Sequence, residues 1–321
     1  MPSFKKKQDI SVLIIAYRRF NNVQKISQLC LEAGITNFFY HIDVPKSDQI
    51  SALADNQQVL ETINKFDKTN SVNCRKLIAT ANKGCAVSVI SALDWAFLNC
   101  QRLIILEDDC IPTKAFFDFC LQGLDFIKSK PNIFLVCGTQ LAPLETTKGK
   151  SVVSKYALTW GWATTKEKWK VMREEVINEG NALNLNHLLS ISPESNFWSA
   201  GARRAFHGYI DAWDLLIGNF LIRNKSYSLL PQENLILNIG NDVVAEHVEA
   251  KSIWTQVPVS EKNFIPLLPE FNSECDDWLK RNFYQIRLRH FFSTKLNLIL
   301  DLMIGARRKY PKNIKARLLF K

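Results

Sequence analysis

No apolar stretch in the 321-residue sequence approaches the ~20 residues that a membrane span requires. The N-terminal MPSFKKKQDI is basic but has no apolar segment of signal-peptide type behind it, because the apolar residues that follow read as a strand. Zinc-type spacing is missing too. The eight cysteines never fall closer than ten residues apart, so there is no CxxC pair, and they read as reduced, buried thiols of a cytoplasmic protein. The sequence holds no internal repeat and no low-complexity segment. Apolar residues make up 47% of the chain, which excludes a disordered polymer and suffices for one large domain or two small ones.

What is present is an alternation of two patterns over residues 10–140. Ile10–Tyr17 (ISVLIIAY) is a β-branched run of the kind buried on both faces of a parallel sheet. Asn21 is placed to cap a helix over Asn22–Ala33 that Gly34 stops. Further strands are expected at Asn37–Val44, Arg75–Ala81, Leu103–Leu106 and Ile133–Cys137, with helices at Asp48–Phe66, Ala86–Asn99 and Thr113–Ile127. Strands alternating with helices predict an α/β fold, a mostly parallel Rossmann-like sheet with helices on both faces.

Beyond residue 140 the pattern loosens. Residues 141–155 read as a loop and Tyr156–Thr164 (YALTWGWAT) as an aromatic strand or turn. Helices are expected at Lys166–Ile177 and Asp211–Arg223 and a strand at Tyr227–Leu230, while 241–277 yields no assignment. The organisation expected is a domain over 1–277, with halves at 10–140 and 141–277, followed by a basic amphipathic helical tail over 278–321. That tail holds twelve Lys/Arg and one acid, so the whole basic excess of +10 resides in it.

In open α/β sheets ligands bind beyond the carboxyl ends of the strands. Here those ends carry Ala16-Tyr17-Arg18-Arg19, Asp43, Asn82-Lys83-Gly84 and Glu107-Asp108-Asp109. Arginines suit phosphate, an aspartate accepts hydrogen bonds from a base or ribose, and clustered carboxylates suit a hard divalent ion. An anion-binding and a cation-binding group on one sheet edge point to a metal–diphosphate, and so to a nucleotide. In an extended chain Glu107 and Asp109 face one way and Asp108 the other. At most two of the three acids then converge on one ligand. Each of these groups also has a plain alternative: a solvated turn for the acids, a surface charge for Arg18, Arg19 or Lys83. Trp160, Trp162 and Trp169 fit a core more readily than a sugar-stacking surface.

The run ISVLIIAYRR, then Asp43, then LIILEDDCIP, resembles the nucleotide-sugar half of GT-A glycosyltransferases. It is similar above all to N-acetylglucosaminyltransferase I and to bacterial sugar transferases with the EDD form of the DxD motif. Gly161-Trp162, Trp213-Asp214 and Asn234–Gly240 (NLILNIG) extend the resemblance, in the family's order, to about residue 247. It implies transfer of a sugar from a nucleotide-diphospho-sugar donor, a UDP-sugar first, to a glycan or lipid-linked glycan acceptor in polysaccharide or oligosaccharide synthesis. It implies Mn2+ (or Mg2+) on Asp109, with His247 near metal or phosphate. Glu107 and Asp108 fall to the donor's sugar and ribose, Arg19 to its diphosphate and Asp43 to its base, with Ala16, Tyr17 and Lys83 beside them. The inverting base falls at Asp214, with Asp211 as competitor.

A nucleotidyltransferase, the rival enzyme, would carry a glycine-rich first loop, and Ala16–Phe20 lacks glycine. A degenerate transferase acting as an interaction module at the membrane is the non-enzymatic rival. The tail suits either a helix lying on an anionic membrane at the inner face or a solvated helix packed on the domain. Nucleic acid is not an expected partner, since no nucleic-acid module is present and the charge sits at one end.

Overall fold

A computed structural model describes residues 9–178, 192–240, 254, 257–262 and 269–286. The expected His247 site and nearly all of the tail, from 287 onward, lie outside the described residues. Strands β1 (Ser11–Ala16), β2 (Asn37–Ile42), β3 (Asn73–Ile78) and β4 (Arg102–Glu107) alternate with helices α1 (Phe20–Glu32), α2 (Ile50–Thr69) and α3 (Cys85–Ala96). The chain then turns through Asp108-Asp109 into β5 (Cys110–Pro112), α4 (Lys114–Lys128) and β6 (Ile133–Cys137). The second half supplies α5 (Leu144–Thr147), β7 (Val152–Ser154), β8 (Trp162–Thr165), α6 (Lys166–Asn178) and α7 (Pro193–Phe206). It closes with α8 (Asp214–Arg223), β9 (Tyr227–Leu230), β10 (Ile236–Asn238) and α9 (Ser273–Trp278), which runs into a π-helical turn over Leu279–Phe283.

Eight strands form one sheet in the order β3-β2-β1-β4-β8-β6-β9-β7. β1, β2, β3 and β4 run parallel, as do β6 and β9, while β8 lies antiparallel between β4 and β6. The expected α/β fold is therefore present, with a mixed second half that the alternation of the first half did not announce.

The all-apolar run of β1 follows from its central position. Val12 and Ile14 pack with Val23 and Ile26 of α1 and with α2 and α4, whereas Leu13 packs with Val87 and Ile90 of α3. Both faces of the strand are covered, so neither can be polar. A small second sheet pairs β5 with β10, antiparallel, placing Asn238 opposite Cys110. This pairing ties the second half of the chain to the strand end that carries the acids.

Several local expectations shift. Asn21 is not the α1 cap: the helix begins at Phe20, and Arg19 occupies the cap position without a side-chain capping bond. The neighbouring Asn22 instead donates from Nδ2 to the Asp108 carbonyl at 2.9 Å. Gly34 follows the C-cap Ala33 with φ 86°, as its stop role requires. The third strand starts two residues earlier than Arg75, and the aromatic strand starts at Trp162 rather than Tyr156.

Candidate active site

Asp108 sits at the centre of the β1–β4 junction. Its Oδ2 accepts hydrogen bonds from three successive backbone amides, Tyr17 (2.8 Å), Arg18 (3.2 Å) and Arg19 (3.3 Å). Its Oδ1 accepts from Arg19 Nη1 at 2.9 Å. Its own amide donates to the Ile15 carbonyl at 3.0 Å. Successive amides turned to one side form an anion-binding nest, and here a carboxylate of the same chain fills it. Asp108 is buried, and so well supplied with donors that it locks the loop after β1 to the end of β4. Arg18 turns away and pairs with Asp55 of α2 at 2.8 Å.

Glu107 and Asp109 are the acids left over. The Glu107 carboxyl is pushed up to about 8, first by burial and then by the charges of Asp109, Asp214 and Asp108, against a hydrogen bond with Trp213. Burial also raises Asp109, helped by Asp108 and opposed by Arg19. Asp109 Oδ1 accepts a bond from Cys110 Sγ at 3.2 Å. The chain leaving β10 passes directly over this carboxylate: Ile239 N donates to the Asp109 carbonyl at 2.9 Å, and a methyl group on Gly240 would stand 2.6 Å from Asp109 Oδ2. Only glycine lets the backbone approach the acid so closely.

The two candidate bases part company. Asp211 accepts from the amides of Cys85 and Ala86, both at 2.8 Å, so its two oxygens cap the first turn of α3. Asp214 occupies the first turn of α8, a favourable end for an acid. It keeps open surface, yet the protein around its carboxylate desolvates it enough to raise its pKa. Its charge acts on Glu107, so Asp214 faces the acid cluster. Trp213, next to it, stacks on Trp162 of β8 with ring centroids 5.5 Å apart. Trp162 and Trp169 are buried core residues, while Trp160 is half-buried.

Asp43 ends β2 in a buried position. Burial raises its pKa, while hydrogen bonds from Ser88 and the amides of Val44 and Lys83 oppose the shift. Asn56 of α2 ties this corner together, donating to the carbonyls of Tyr17 (2.6 Å) and Asp43 (2.7 Å). His41 lies behind it, buried, with Nε2 2.8 Å from Ser88 Oγ, and burial lowers its pKa to about 4. Ala16 and Tyr17 therefore form the β1 end of this edge, and Lys83 the turn before α3, which enters through Gly84 at φ 76°.

The structure thus brings Arg19, Asp43, Lys83, Glu107, Asp108, Asp109, Asp211 and Asp214 to one edge of the sheet. Sequence reasoning missed Asn56, Ser88 and Cys85, whose partners are 13 to 126 residues distant and leave no local signal. Among the described residues no group of three or more His, Cys, Asp or Glu is arranged to hold a metal ion by itself.

No protein-family model and no curated protein matches the sequence. Solved structures overlap it in part. A mannosyltransferase from Pyrobaculum calidifontis in complex with GDP-Man and Mn2+ aligns at 11% identity and TM-score 0.37, over 55% of this chain and 48% of that one. This chain thus spans about half the length of that enzyme. A UDP-glucose pyrophosphorylase complexed with UDP-glucose aligns at 8% identity and TM-score 0.35, over 70% of this chain and 90% of that one. The inositol-1-phosphate CTP transferase from T. maritima aligns at 9% identity and TM-score 0.38, over 70% and 85%. These are transferases of nucleotide or nucleotide-sugar type, and overlaps at such scores assign no ligand to this chain.

Proposed function

We propose that this chain is a metal-dependent glycosyltransferase that moves a sugar from a nucleotide-diphospho-sugar, a UDP-sugar first, to a glycan hydroxyl with inversion. The observation that carries the reading is the meeting of Glu107, Asp109 and Asp214 at the carboxyl edge of the sheet, beside an arginine fixed by Asp108. Two demands define such a transfer: a base for the acceptor hydroxyl, and positive charge for the leaving diphosphate.

Asp214 is the base. Burial raises its proton affinity against the amides of Leu215 and of its own residue, and it is not tied to a second helix as Asp211 is to α3. A positioned carboxylate of this kind typically contributes about 10²–10⁴-fold. Arg19 and Lys83 supply fixed positive charge near the leaving group, and Asp43 faces the base and ribose end of the donor. Asp108 acts on the donor indirectly, by holding the 17–19 loop. Glu107 orients the sugar.

Mn2+ or Mg2+ fits Asp109. Ions of this class bind through one or two carboxylates together with substrate phosphates, and so need no preformed cage of protein ligands. Burial and neighbouring carboxylates raise both Glu107 and Asp109, and Arg19, paired with Asp108, offsets the charge on Asp109 only in part. Such an ion would supply charge neutralisation to the departing nucleotide.

The nest of amides 17–19 argues against nucleotidyl transfer. That chemistry needs the first loop's amides for a triphosphate, and here Asp108 fills them. On the acceptor side stand half-buried rings: Trp160 against Phe283 at 6.3 Å, and Phe283 against Trp254 at 5.3 Å. Such rings suit the apolar faces of a glycan or lipid-linked glycan. Leu279 and Ile286 are buried in the core, so the membrane contact proposed for the basic tail falls to the part beyond residue 286. Flotation with anionic liposomes should carry the full chain and leave a chain ending at residue 286 behind, and equal behaviour would remove that surface.

The decisive experiment is hydrolysis and transfer from a panel of UDP-, GDP- and dTDP-sugars with Mn2+, with the product anomer read by NMR. Metal-dependent turnover with inversion is expected. Pyrophosphate release from a nucleoside triphosphate and a sugar phosphate would instead establish the nucleotidyltransferase. Neither turnover nor metal-dependent nucleotide binding would leave only the interaction module.

A further inference from the structure

A second concavity lies at the opposite end of the sheet. A cavity of about 430 Å³ opens at the amino-terminal ends of β1, β2, β3 and β4, lined by Ser11, Asn37, Phe39, Arg75, Asn99 and Arg102 among others. Its volume falls in the lower part of the range of small-molecule sites, about 300–1,000 Å³. Strands of six residues separate it from the acid cluster, a distance of about 20 Å at ~3.3 Å per residue.

The lining is chemically specific. Arg75 stands directly opposite Phe39 in the parallel β2–β3 register, and its guanidinium lies over that ring, 5.6 Å from the centroid. Phe39 is itself fixed edge-on by Trp95 at 5.2 Å. Stacking on a buried ring fixes the cation while leaving the guanidinium edge available for a bidentate partner. Among the described residues no carboxylate is within ion-pair reach of Arg75. Arg102, in contrast, is answered by Asp125 at 3.1 Å. Around Arg75 stand the side-chain amides of Asn37, Asn73, Asn99 and Gln101, with Asn73 Nδ2 donating to Asn37 Oδ1 at 3.3 Å and Asn99 Nδ2 to the Trp95 carbonyl at 3.5 Å. An amide's second hydrogen and second lone pair serve a ligand. Asp9, at the exposed rim, adds a further acceptor for hydroxyl groups.

We propose that this cavity is a binding site for a small anionic polyol, a hexose bearing a carboxylate or a phosphate, with its anion on Arg75 and its hydroxyls on the amides. The site is physically separate from the proposed nucleotide site and does not rest on that reading.

Isothermal titration of the full chain with glucose 6-phosphate and with glucuronate tests it, with glucose and inorganic phosphate as controls. At least one anionic sugar is expected to bind saturably, glucose and phosphate each more weakly. Arg75→Ala is expected to weaken binding by at least about tenfold, the usual consequence of losing a charge-assisted hydrogen bond. Arg75→Lys, which keeps the charge without the fork, should fall between, and Asp109→Ala should bind as the wild type does. Absence of saturable binding by the wild type overturns the proposal. So does an Arg75→Ala protein, folded by circular dichroism, that binds unchanged, or glucose or inorganic phosphate binding as tightly as the anionic sugars. Loss of binding in folded Asp109→Ala would move the ligand to the other end of the sheet and overturn it equally.

Discussion

The guanidinium of Arg19 meets the carboxylate of Asp108 at 2.9 Å, both side chains largely shielded from water. The same carboxylate takes the three amides of residues 17–19. Asp108 is thus the keystone of the loop that presents Arg19, although it is the middle member of an apparent metal motif. Replacing it with alanine leaves a largely shielded arginine and three amides without their acceptor. A loss of about 3 kcal/mol is expected from such a broken buried pair. Denaturant titration of Asp108→Ala measures it, and wild-type stability would show that water replaces the carboxylate at no cost.

Asp211 and Asp214 should separate stability from turnover. Asp211→Ala removes the acceptor of two α3 amides and is expected to cost about 1 kcal/mol, the usual value of a helix cap. Asp214→Asn removes a desolvated charge that faces Glu107, so stability should hold or rise while transfer is lost and donor binding persists. Thermal unfolding beside single-turnover transfer distinguishes the two. A dead Asp211→Asn enzyme of normal stability would reverse the assignment.

Much of the first half was legible because it is governed by local pattern. Ile133–Cys137 and Tyr227–Leu230 match their expected bounds, and β1, β2 and β4 lie within one or two residues of theirs. The acids were legible as a cluster because three carboxylates in sequence are rare at a buried strand end. Their division of labour was legible only in part: alternation set Asp108 apart from Glu107 and Asp109, but its partner, the 17–19 nest, lies ninety residues away. A separation of 125 and 126 residues hid Asp211's cap on α3, whose helix gives no sign that its end is covered. β8 escaped as an antiparallel strand because YALTWGWAT carries no marker of direction.

Gly240 offers a test that leaves every polar group in place. A methyl group there would stand 2.6 Å from Asp109 Oδ2, so that the carboxylate must shift, and a tight 3.0 Å from Asn238 Oδ1. Gly240→Ala should displace the Asp109 carboxylate while the β5–β10 pairing persists. The expected outcome is at least about tenfold weaker metal-dependent nucleotide binding, a shift worth about 1.4 kcal/mol, with an unchanged circular dichroism spectrum. Unaltered metal-dependent binding would show that the Asp109 position is immaterial to the metal.

Asp276 provides the pH dependence. It is buried against Ser154, whose Oγ donates to it at 2.5 Å, and takes the Lys155 amide at 3.3 Å, so α9 is fastened to β7 through this carboxyl. Burial first of all pushes its pKa from 3.8 up to about 6. A carboxyl raised by folding favours the folded state while it is protonated. That contribution is full below about pH 4, the unfolded carboxyl's range, and is lost as the pH rises through about 6. Asp276→Asn keeps the neutral form at every pH, since its amide donates to Ser154 Oγ and its carbonyl accepts from Lys155 N. The unfolding free energy of the wild type, measured against this variant, should therefore fall by about 2 kcal/mol between about pH 4.5 and about pH 7.5. Parallel denaturant titrations at the two pH values read the difference. A gap that stays constant would mean that Asp276 ionises as readily in the folded chain as in the unfolded one.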